Sequence, residues 1–282
     1  MRDPNRRWHL AVATDFTDVA RQGLRVARKL ADILGARISI INVMAETTVG
    51  APGAGPHGDP HLEHDLHRLE QWAEPEMGGT TPSFVVESGL PGVEISRYAE
   101  RAQVDLIILV RKARTMMSRV VSGDTVDSVA RRSVVPCLLV PPVEFEVERV
   151  MAALDGTERG LVVYRRARDL AGAFRCPLAA LTVERLHENE PPELATGLPS
   201  NRSILLERTL AGLPQRGDVL PQPLKIRRGD VVEQVLAELE KSPGGLLAVG
   251  YHRGGPPGVV EAGSIGRKLL HSHQGPVLTV PL

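Results

Sequence analysis

The sequence LAVATD at residues 10–15 is a short apolar run that ends in an aspartate. The sequence VMAALD at residues 150–155 has the same pattern, 140 residues later. Apolar runs of this length, without a polar face, are typical of strands that are buried on both sides in a parallel sheet. The two stretches therefore predict two equivalent strands, each of which begins a structural unit.

The offset of 140 residues holds along the whole sequence. A constant offset means that the chain contains two homologous units with no net insertion between them. We place the boundary after residue 142, so that residues 1–142 and 143–282 form the two predicted domains. The matched pairs are Val43 with Val183, Gly89 with Gly229, Gly123 with Gly263, and PCLLVP at 136–141 with PVLTVP at 276–281.

Within each unit, β-branched or apolar runs alternate with helical patterns. Such alternation implies right-handed crossovers and a parallel sheet with helices on both faces. The sequence therefore predicts an α/β protein with two repeated, doubly wound, five-stranded domains of the flavodoxin-like kind. The predicted strands are Leu10–Thr14, Ile38–Val43, Ser83–Val86, Leu106–Val110 and Cys137–Val140, then Arg149–Leu154, Leu178–Val183, Leu224–Ile226, Leu246–Val249 and Val277–Val280.

The composition excludes several classes of function. The 282 residues include 34 basic and 34 acidic side chains, so the formal net charge is zero, and each half of the repeat is also balanced. A generic nucleic-acid binder would carry a basic excess. The longest apolar run, near Leu106–Val110, is far shorter than the ~20 residues of a membrane helix. Two cysteines, Cys137 and Cys176, cannot form a disulfide framework, and we expect a cytoplasmic protein.

A glycine-rich stretch in the second unit is the strongest chemical signal. It starts at Gly250, after the strand Leu246–Val249, and ends at Gly263 and Ser264, where a helix is predicted. Glycines let a backbone approach an anion, and a helix N-terminus offers free N–H groups. Because glycine-rich segments are often only loops, this stretch alone is a weak indication of a phosphate site.

With these residues in view, the chain resembles the universal stress protein family in its tandem form, over nearly its whole length. The resemblance is carried by the strand-one Asp15 with Phe16 and Thr17, the turn at 89–91, the late Gly123 and the terminal strands. It implies the adenine nucleotide alpha hydrolase-like variant of the flavodoxin-like fold. It also implies a role in stress response and an intramolecular pseudo-dimer in which the edge strands of the two units pair.

The family's nucleotide motif is Gly, two residues, Gly, nine residues, Gly, then Ser or Thr. The second unit keeps the first and third glycines and the serine, whereas Arg253 stands at the middle position and Gly254 follows it. The resemblance thus implies binding of ATP or a related adenine nucleotide, accompanied by Mg²⁺. The implied binding residues are Asp155 and Val183 near the adenosine, and Gly250, Gly254, Gly263, Ser264 and Ile265 near the phosphates.

The first unit departs from that motif. Val110 and Ala113 stand where the first two glycines belong, and Asp124 replaces the Ser or Thr. A carboxylate is a good helix cap but repels a triphosphate. We therefore predict that the first unit does not bind ATP in the family's manner.

Two polar clusters remain. His57, His61 and His64 could coordinate Zn²⁺, but the usual exposure of such residues favours a solvated helix face, so we predict no metal site. The basic residues of the first unit's corresponding loop could hold an anion through side chains, or could simply face water. They are Arg111, Lys112, Arg114 and Arg119.

Three functional hypotheses follow. The first is a regulatory protein that binds an adenine nucleotide through its second unit, with protein partners and homodimerisation as further expectations. The second is a nucleotide-independent interaction module in which both sites are degenerate. The third and weaker one is a slow ATPase, for which the sequence offers no P-loop and no identifiable catalytic base or metal ligand set.

Overall fold

A computed structural model describes residues 6–44, 60–111, 122–184, 199–213, 222–241, 244–252 and 264–282, without the side chains of residues 60–62, 122–124 and 264. The chain divides into two compact units, Met1–Glu144 and Phe145–Leu282. We describe each unit by itself.

Unit 1 is a parallel sheet whose strands lie in the order β3-β2-β1-β4-β5. Strand β1 pairs with both β2 and β4, so the chain winds in opposite directions on either side of it. The strands are β1 (His9–Thr14), β2 (Arg37–Met44), β3 (Ser83–Ser88), β4 (Leu106–Val110) and β5 (Cys137–Val140). The helices are α1 (Arg21–Leu34), α2 (Pro60–Met77), α3 (Pro91–Arg101) and α4 (Ser122–Arg132), with a short 3-10 helix at Asp18–Ala20.

Unit 2 repeats this topology with strands in the order β8-β7-β6-β9-β10, again all parallel. The strands are β6 (Arg149–Leu154), β7 (Leu178–Glu184), β8 (Lys225–Arg228), β9 (Gly245–Tyr251) and β10 (Val277–Pro281). The helices are α5 (Glu158–Phe174), α6 (Asn201–Ala211), α7 (Val231–Glu240) and α8 (Ser264–Ser272).

The predicted α/β class is confirmed, and the differences are confined to the ends of elements. The bounds of β4, β5 and β6 are those predicted from the sequence, and α2 matches the helical pattern that the sequence shows from Pro60 to about Met77. Strand β9 is longer than predicted, because Gly250 and Tyr251 continue the ladder opposite Val280 and Pro281. A glycine at a strand end is a poor local signal for a strand, so only the pairing reveals it.

The start of the first helix differs from its prediction. The sequence predicts Thr17 as its N-cap and Gly35 as its stop. The Thr17 hydroxyl instead donates to Oδ1 of Asp15 at 2.6 Å, and the chain first makes the short 3-10 helix. The stop at Gly35 is confirmed: this residue adopts φ 59°, and its N–H donates to the carbonyl of Ala31. Glycine suits that left-handed position because it has no Cβ.

The core of each unit is built from strand residues that are buried on both faces of the sheet. Ile40 and Leu138 in unit 1 and Val150 and Leu246 in unit 2 have no exposed surface. Ligands of such sheets bind beyond the carboxyl ends of the strands, at the point where the winding direction reverses. That point lies between β1 and β4 in unit 1, and between β6 and β9 in unit 2.

Candidate functional site

The carboxyl edge of unit 2 brings together three of the residues singled out from the sequence. Asp155 directly follows β6, Val183 lies near the end of β7, and Gly250 lies near the end of β9. Strand β6 pairs with both neighbours in parallel register, so all three ends meet at the same edge of the sheet. Asp155 and Gly250 therefore flank the switch point of unit 2, and Val183 lies on the neighbouring strand at the same edge.

The turn after β6 is held by Asp155 itself. Its Oδ1 accepts hydrogen bonds from the Thr157 backbone N–H at 2.9 Å and from the Thr157 hydroxyl at 2.7 Å. Unit 1 makes the same turn, with Thr17 donating to Oδ1 of Asp15. A carboxylate has acceptor capacity beyond two such bonds. The strand-one aspartate thus shapes the turn in both units and can still accept a bond from a ligand.

Arg202, in the first turn of α6, reaches this turn and was not anticipated from the sequence. Its Nε donates to the Gly156 carbonyl at 3.1 Å. Gly156 adopts φ 73°, and a Cβ there would lie 3.1 Å from the same Nε. An exposed guanidinium is therefore placed next to the Asp155 turn. The pairing joins residues 46 positions apart, so no local pattern announces it.

Glu184 follows Val183 and ties the end of β7 to the start of α6. Its Oε1 accepts from the Ser200 backbone N–H at 2.7 Å and from the Ser203 hydroxyl at 2.6 Å, while Arg228 Nε lies 3.2 Å from Oε2. Burial alone would raise the pKa of Glu184, but these hydrogen bonds lower it to about 2. The only sequence signal was an acidic residue where unit 1 has Met44.

Gly250 is packed against side chains of its own unit. A Cβ at this position would lie 2.4 Å from Leu282 Cδ1 and 3.3 Å from Val163 Cγ2. The Leu282 backbone N–H donates to the Tyr251 carbonyl at 3.1 Å and so holds Leu282 beside the strand end. The motif predicts that this glycine lies near the phosphates, and its contacts in the fold supply a separate packing reason for it.

Unit 1 has the same contact between helix and strand, but the glycine lies on the helix and the valine lies on the strand. There the helix residue is Gly23 and the strand residue is Val110, and a Cβ on Gly23 would lie 3.1 Å from Val110 Cγ2. In unit 2 the helix residue is Val163 and the strand residue is Gly250. Each unit therefore places one glycine and one valine where α1 or α5 crosses the end of β4 or β9.

The first turn of α8 lies directly against the end of β9. A Cβ on Gly266 would be 2.7 Å from the Gly250 carbonyl oxygen, so only a glycine allows this approach. Ile265, the preceding residue, is half-buried. The backbone N–H groups that open α8 are thereby placed at the carboxyl edge, close to the switch point.

The corresponding edge of unit 1 carries an aromatic cluster that the sequence analysis missed. Phe16, with φ 63°, stands where unit 2 has Gly156. Its ring meets that of Trp72 edge-on at 5.9 Å, Arg68 lies 4.4 Å over the Phe16 ring, and Arg21 lies 4.8 Å over the Trp72 ring. Such contacts stabilise packing between elements, and here they join the β1 turn to helix α2.

Arg111 follows β4 in unit 1, at the position that Tyr251 has in unit 2. Its backbone N–H donates to the Val140 carbonyl at 2.8 Å. Burial lowers the pKa of its guanidinium from 12.5. The structure thus places the first of the predicted basic residues at the carboxyl edge of unit 1. Lys112, Arg114 and Arg119 lie outside the described residues.

The universal stress protein family model matches the sequence twice, at residues 8–141 and 146–281. The chain belongs to the universal stress protein family. The resemblance stated from the sequence is thereby confirmed, including its tandem form. None of the curated protein sequences is significantly similar to this chain.

Solved structures agree with the fold of this tandem universal stress protein. A universal stress protein from Archaeoglobus fulgidus DSM 4304 is 16% identical, with a TM-score of 0.64 over 97% of this chain and 98% of that one. A protein of unknown function from Pseudomonas aeruginosa PAO1 is 14% identical, with a TM-score of 0.65 over 98% of this chain and 92% of that one. At such low identities the likeness shows the fold alone.

Several predicted residues of this universal stress protein lie outside the described residues. They are Gly254, Gly263 and His57, together with the side chains of Ser264, His61 and Asp124. His64 is an exposed residue of α2. Across the described ranges, no group of three or more His, Cys, Asp or Glu side chains is arranged to hold a metal ion. Within those same ranges, no helix has the length and apolar character required to cross a membrane.

Proposed function

We propose that this tandem universal stress protein is a regulatory protein that binds ATP or a related adenine nucleotide through unit 2. The observation that carries the proposal is the convergence of Asp155, Val183 and Gly250 at the carboxyl edge around the switch point, beside the start of α8. We further propose that nucleotide occupancy biases its assembly with protein partners in the cytoplasm. Cys137 and Cys176 are buried and form no disulfide, which fits that reducing compartment.

The residues of unit 2 fit the chemistry of an adenine nucleotide. Asp155 supplies an acceptor for hydroxyl or amino groups of the adenosine part. The close approach of Gly266 to Gly250 puts the N-terminus of α8 at the edge, where free N–H groups favour phosphate. Gly263 is the residue before that helix in the sequence, and Ser264 is its first residue. A bound triphosphate would be accompanied by Mg²⁺.

Unit 1 is proposed not to bind ATP. Val110 replaces the first glycine of the motif, and Phe16 with its cation–aromatic neighbours occupies the turn where unit 2 has Gly156 and the exposed Arg202. The carboxylate that the sequence places at Asp124 would add repulsion toward phosphate. Any nucleotide bound by the full chain should therefore respond to changes in unit 2 alone.

We expect Ser264→Ala to weaken ATP binding about tenfold, since a hydroxyl bond to a charged group contributes about 1.5 kcal/mol or more. Gly263→Val should abolish it, because the side chain blocks close approach of the phosphates. Calorimetric titration of the full chain with ATP, ADP and AMP measures both effects. Gly123→Val, at the matching position of unit 1, is the control and should leave binding unchanged. Absence of ATP binding by the unaltered chain at millimolar concentration would sink the proposal.

Arg202 offers a second test of the same site. We expect Arg202→Ala to weaken ATP binding about fivefold, because a guanidinium beside the Asp155 turn can pair with an anionic ligand. A cation in the first turn of a helix opposes the helix dipole, so the change should not destabilise α6. Arg208→Ala, an exposed arginine of the same helix, is the matched control. Equal affinities for the two variants, measured by calorimetry, would remove Arg202 from the site.

Two observations favour the alternative function, a nucleotide-independent module that binds protein partners. The packing of Leu282 and Val163 on Gly250 explains that glycine without a nucleotide, and Arg253 stands where the motif has its middle glycine. In this case protein partners would be retained by Gly263→Val in a pull-down, with or without ATP. The pairing of the two units and of whole chains stays a prediction.

A further inference from the structure

A buried carboxylate in unit 2 is surrounded by three cations. Glu238 of α7 has only 5% of its side chain exposed. Its Oε1 accepts from Lys225 Nζ, and its Oε2 accepts from Arg227 Nη2 and from Lys241 Nζ, both at 3.1 Å. Burial alone would raise the pKa of Glu238, but the hydrogen bonds from Lys225, Lys241 and Arg227 lower it to about 2. We call these four residues the Glu238 cluster.

The Glu238 cluster carries more positive charge than one carboxylate can balance. Three cations against one anion leave an excess of two positive charges. The side chains of Lys225, Arg227 and Lys241 are 34%, 40% and 60% exposed, so all three remain within reach of a solute. A lysine ammonium has three donors and an arginine guanidinium has five, which is more than the bonds to Glu238 use.

A small pocket opens beside the cluster, and its volume of about 10 Å³ is room for about one water molecule. Lys225 and Glu238 line it, and Arg149 adds a further cation to its wall. Arg149 and Lys225 are the first residues of β6 and β8, so this pocket lies at the amino ends of the strands, away from the candidate nucleotide site. The remaining lining residues are Met151, Ala179, Ala180, Leu181, Leu239 and Gly245.

Unit 1 shows that the fold does not require such a cluster. At the positions matching Lys225, Arg227, Glu238 and Lys241, unit 1 has Val85, Glu87, Tyr98 and Arg101. There a single balanced pair remains, with Arg101 Nη2 2.7 Å from Glu87 Oε1. The same strand and helix thus pack in unit 1 without excess charge, so the cations of unit 2 are an addition to the fold.

We propose that the exposed donors of the Glu238 cluster form a second anion site at the surface of unit 2, which binds a small oxyanion of the phosphate class. Phosphate oxygens accept several charge-assisted hydrogen bonds at once, and lysine and arginine are the side chains that supply them. The excess of two positive charges is enough to balance a phosphate, which carries between one and two negative charges at neutral pH. Glu238 holds the three cations in place, and the anion would bind to the donors that they turn toward solvent.

Two sources share this chemistry: free phosphate or pyrophosphate, and the phosphate chain of a nucleotide. Calorimetric titrations of the full chain with inorganic phosphate, pyrophosphate, ATP and adenosine separate them. Binding of phosphate or pyrophosphate identifies the free anion as ligand. Binding of ATP that is lost on altering the cluster, but kept in Gly263→Val, identifies a nucleotide phosphate chain.

The double change Lys225→Gln and Arg227→Gln should weaken pyrophosphate binding at least about tenfold, and Lys241→Gln severalfold, because each removes charge-assisted bonds. Glu238→Gln should strengthen binding severalfold, since the competing carboxylate is gone. Arg101→Gln in unit 1 is the matched control and should change nothing. Circular dichroism first establishes that each variant is folded, and three separate variants keep the test independent of any one of them.

Either of two results would overturn the proposal. One is a lack of phosphate, pyrophosphate and ATP binding at millimolar concentration by both the unaltered chain and folded Glu238→Gln. The other is anion binding that survives the double change at Lys225 and Arg227, or that Gly263→Val abolishes, since the anion would then lie elsewhere. A lack of ATP binding by the unaltered chain would also remove the proposed function. ATP binding that Ser264→Ala and Gly263→Val weaken, but that the cluster variants leave unchanged, would retain the proposed function and remove a nucleotide phosphate chain as the ligand of the second site.

Discussion

Gly250→Val is expected to destabilise unit 2 by about 2 kcal/mol, the usual cost of overfilling a packed site. The new side chain would displace Leu282, whose Cδ1 lies 2.4 Å from the position of a Cβ, and press on Val163 Cγ2 at 3.3 Å. Because Val163 and Gly250 meet where unit 1 has Gly23 and Val110, the second change Val163→Gly should recover part of the loss. We expect a coupling energy of about 1 kcal/mol between the two positions.

The two units can be followed separately during unfolding. Both tryptophans, Trp8 and Trp72, belong to unit 1, so their fluorescence reports that unit, whereas far-ultraviolet circular dichroism reports both. Urea unfolding of Gly250→Val, Val163→Gly and the double variant completes a double-mutant cycle and gives the coupling energy between the two positions. Gly23→Val in unit 1 is the mirror control and should lower the stability seen by fluorescence. If the effects of Gly250→Val and Val163→Gly on the free energy of unfolding are additive, the two positions are not coupled.

Acidification is expected to destabilise unit 2 strongly through Glu184 and Glu238. Both carboxyls have a folded pKa of about 2, against an ordinary value of 4.5. When a folded pKa is lowered, the stabilisation is present above the ordinary value and is lost as pH falls toward the folded one. Each group should therefore cost about 3 kcal/mol of unfolding free energy between about pH 5 and pH 2.

Replacement of one of these carboxylates by its amide tests the assignment. Glu184→Gln should lower the stability of unit 2 at neutral pH and flatten its dependence on pH, because the uncharged amide cannot repeat the bonds that favour the carboxylate. Glu207→Gln, an exposed glutamate of α6, serves as control. Urea midpoints measured by circular dichroism from pH 7 to pH 3 provide the data. A pH dependence in Glu184→Gln as steep as in the unaltered chain would contradict the assignment.

Much of the fold and part of the site could be predicted from the sequence. The apolar runs that end at Asp15 and Asp155 identified the first strand of each unit, because the pattern of a buried parallel strand is local. Parallel strands have their carboxyl ends at one edge, so the meeting of Asp155, Val183 and Gly250 followed from topology. The family resemblance added the Gly250–Ser264 segment as a unit, which no local pattern alone would justify.

Other features of the site could not be predicted, since each depends on contacts between distant parts of the chain. Arg202 reaches Gly156, and Arg228 reaches Glu184 across 44 residues. Exposed arginines and glutamates are common in any sequence, and nothing in their spacing distinguishes these from the others. Phe16 likewise gave no sign that it would adopt a left-handed conformation against Trp72.

The sequence by itself determined that this protein is a tandem of two parallel α/β units and where their strands lie to within a few residues. Repeat offset and hydrophobic pattern are properties of the chain, and they need no contact to be recognised. Only the tertiary structure decided what the functional positions touch. The motif assigns Gly250 to the phosphates, and only the fold shows that Leu282 and Val163 also pack against it, because the space around an α-carbon is set by its neighbours. The Glu238 cluster exists for the same reason, since the neutral charge of the whole chain says nothing about where three cations meet one carboxylate.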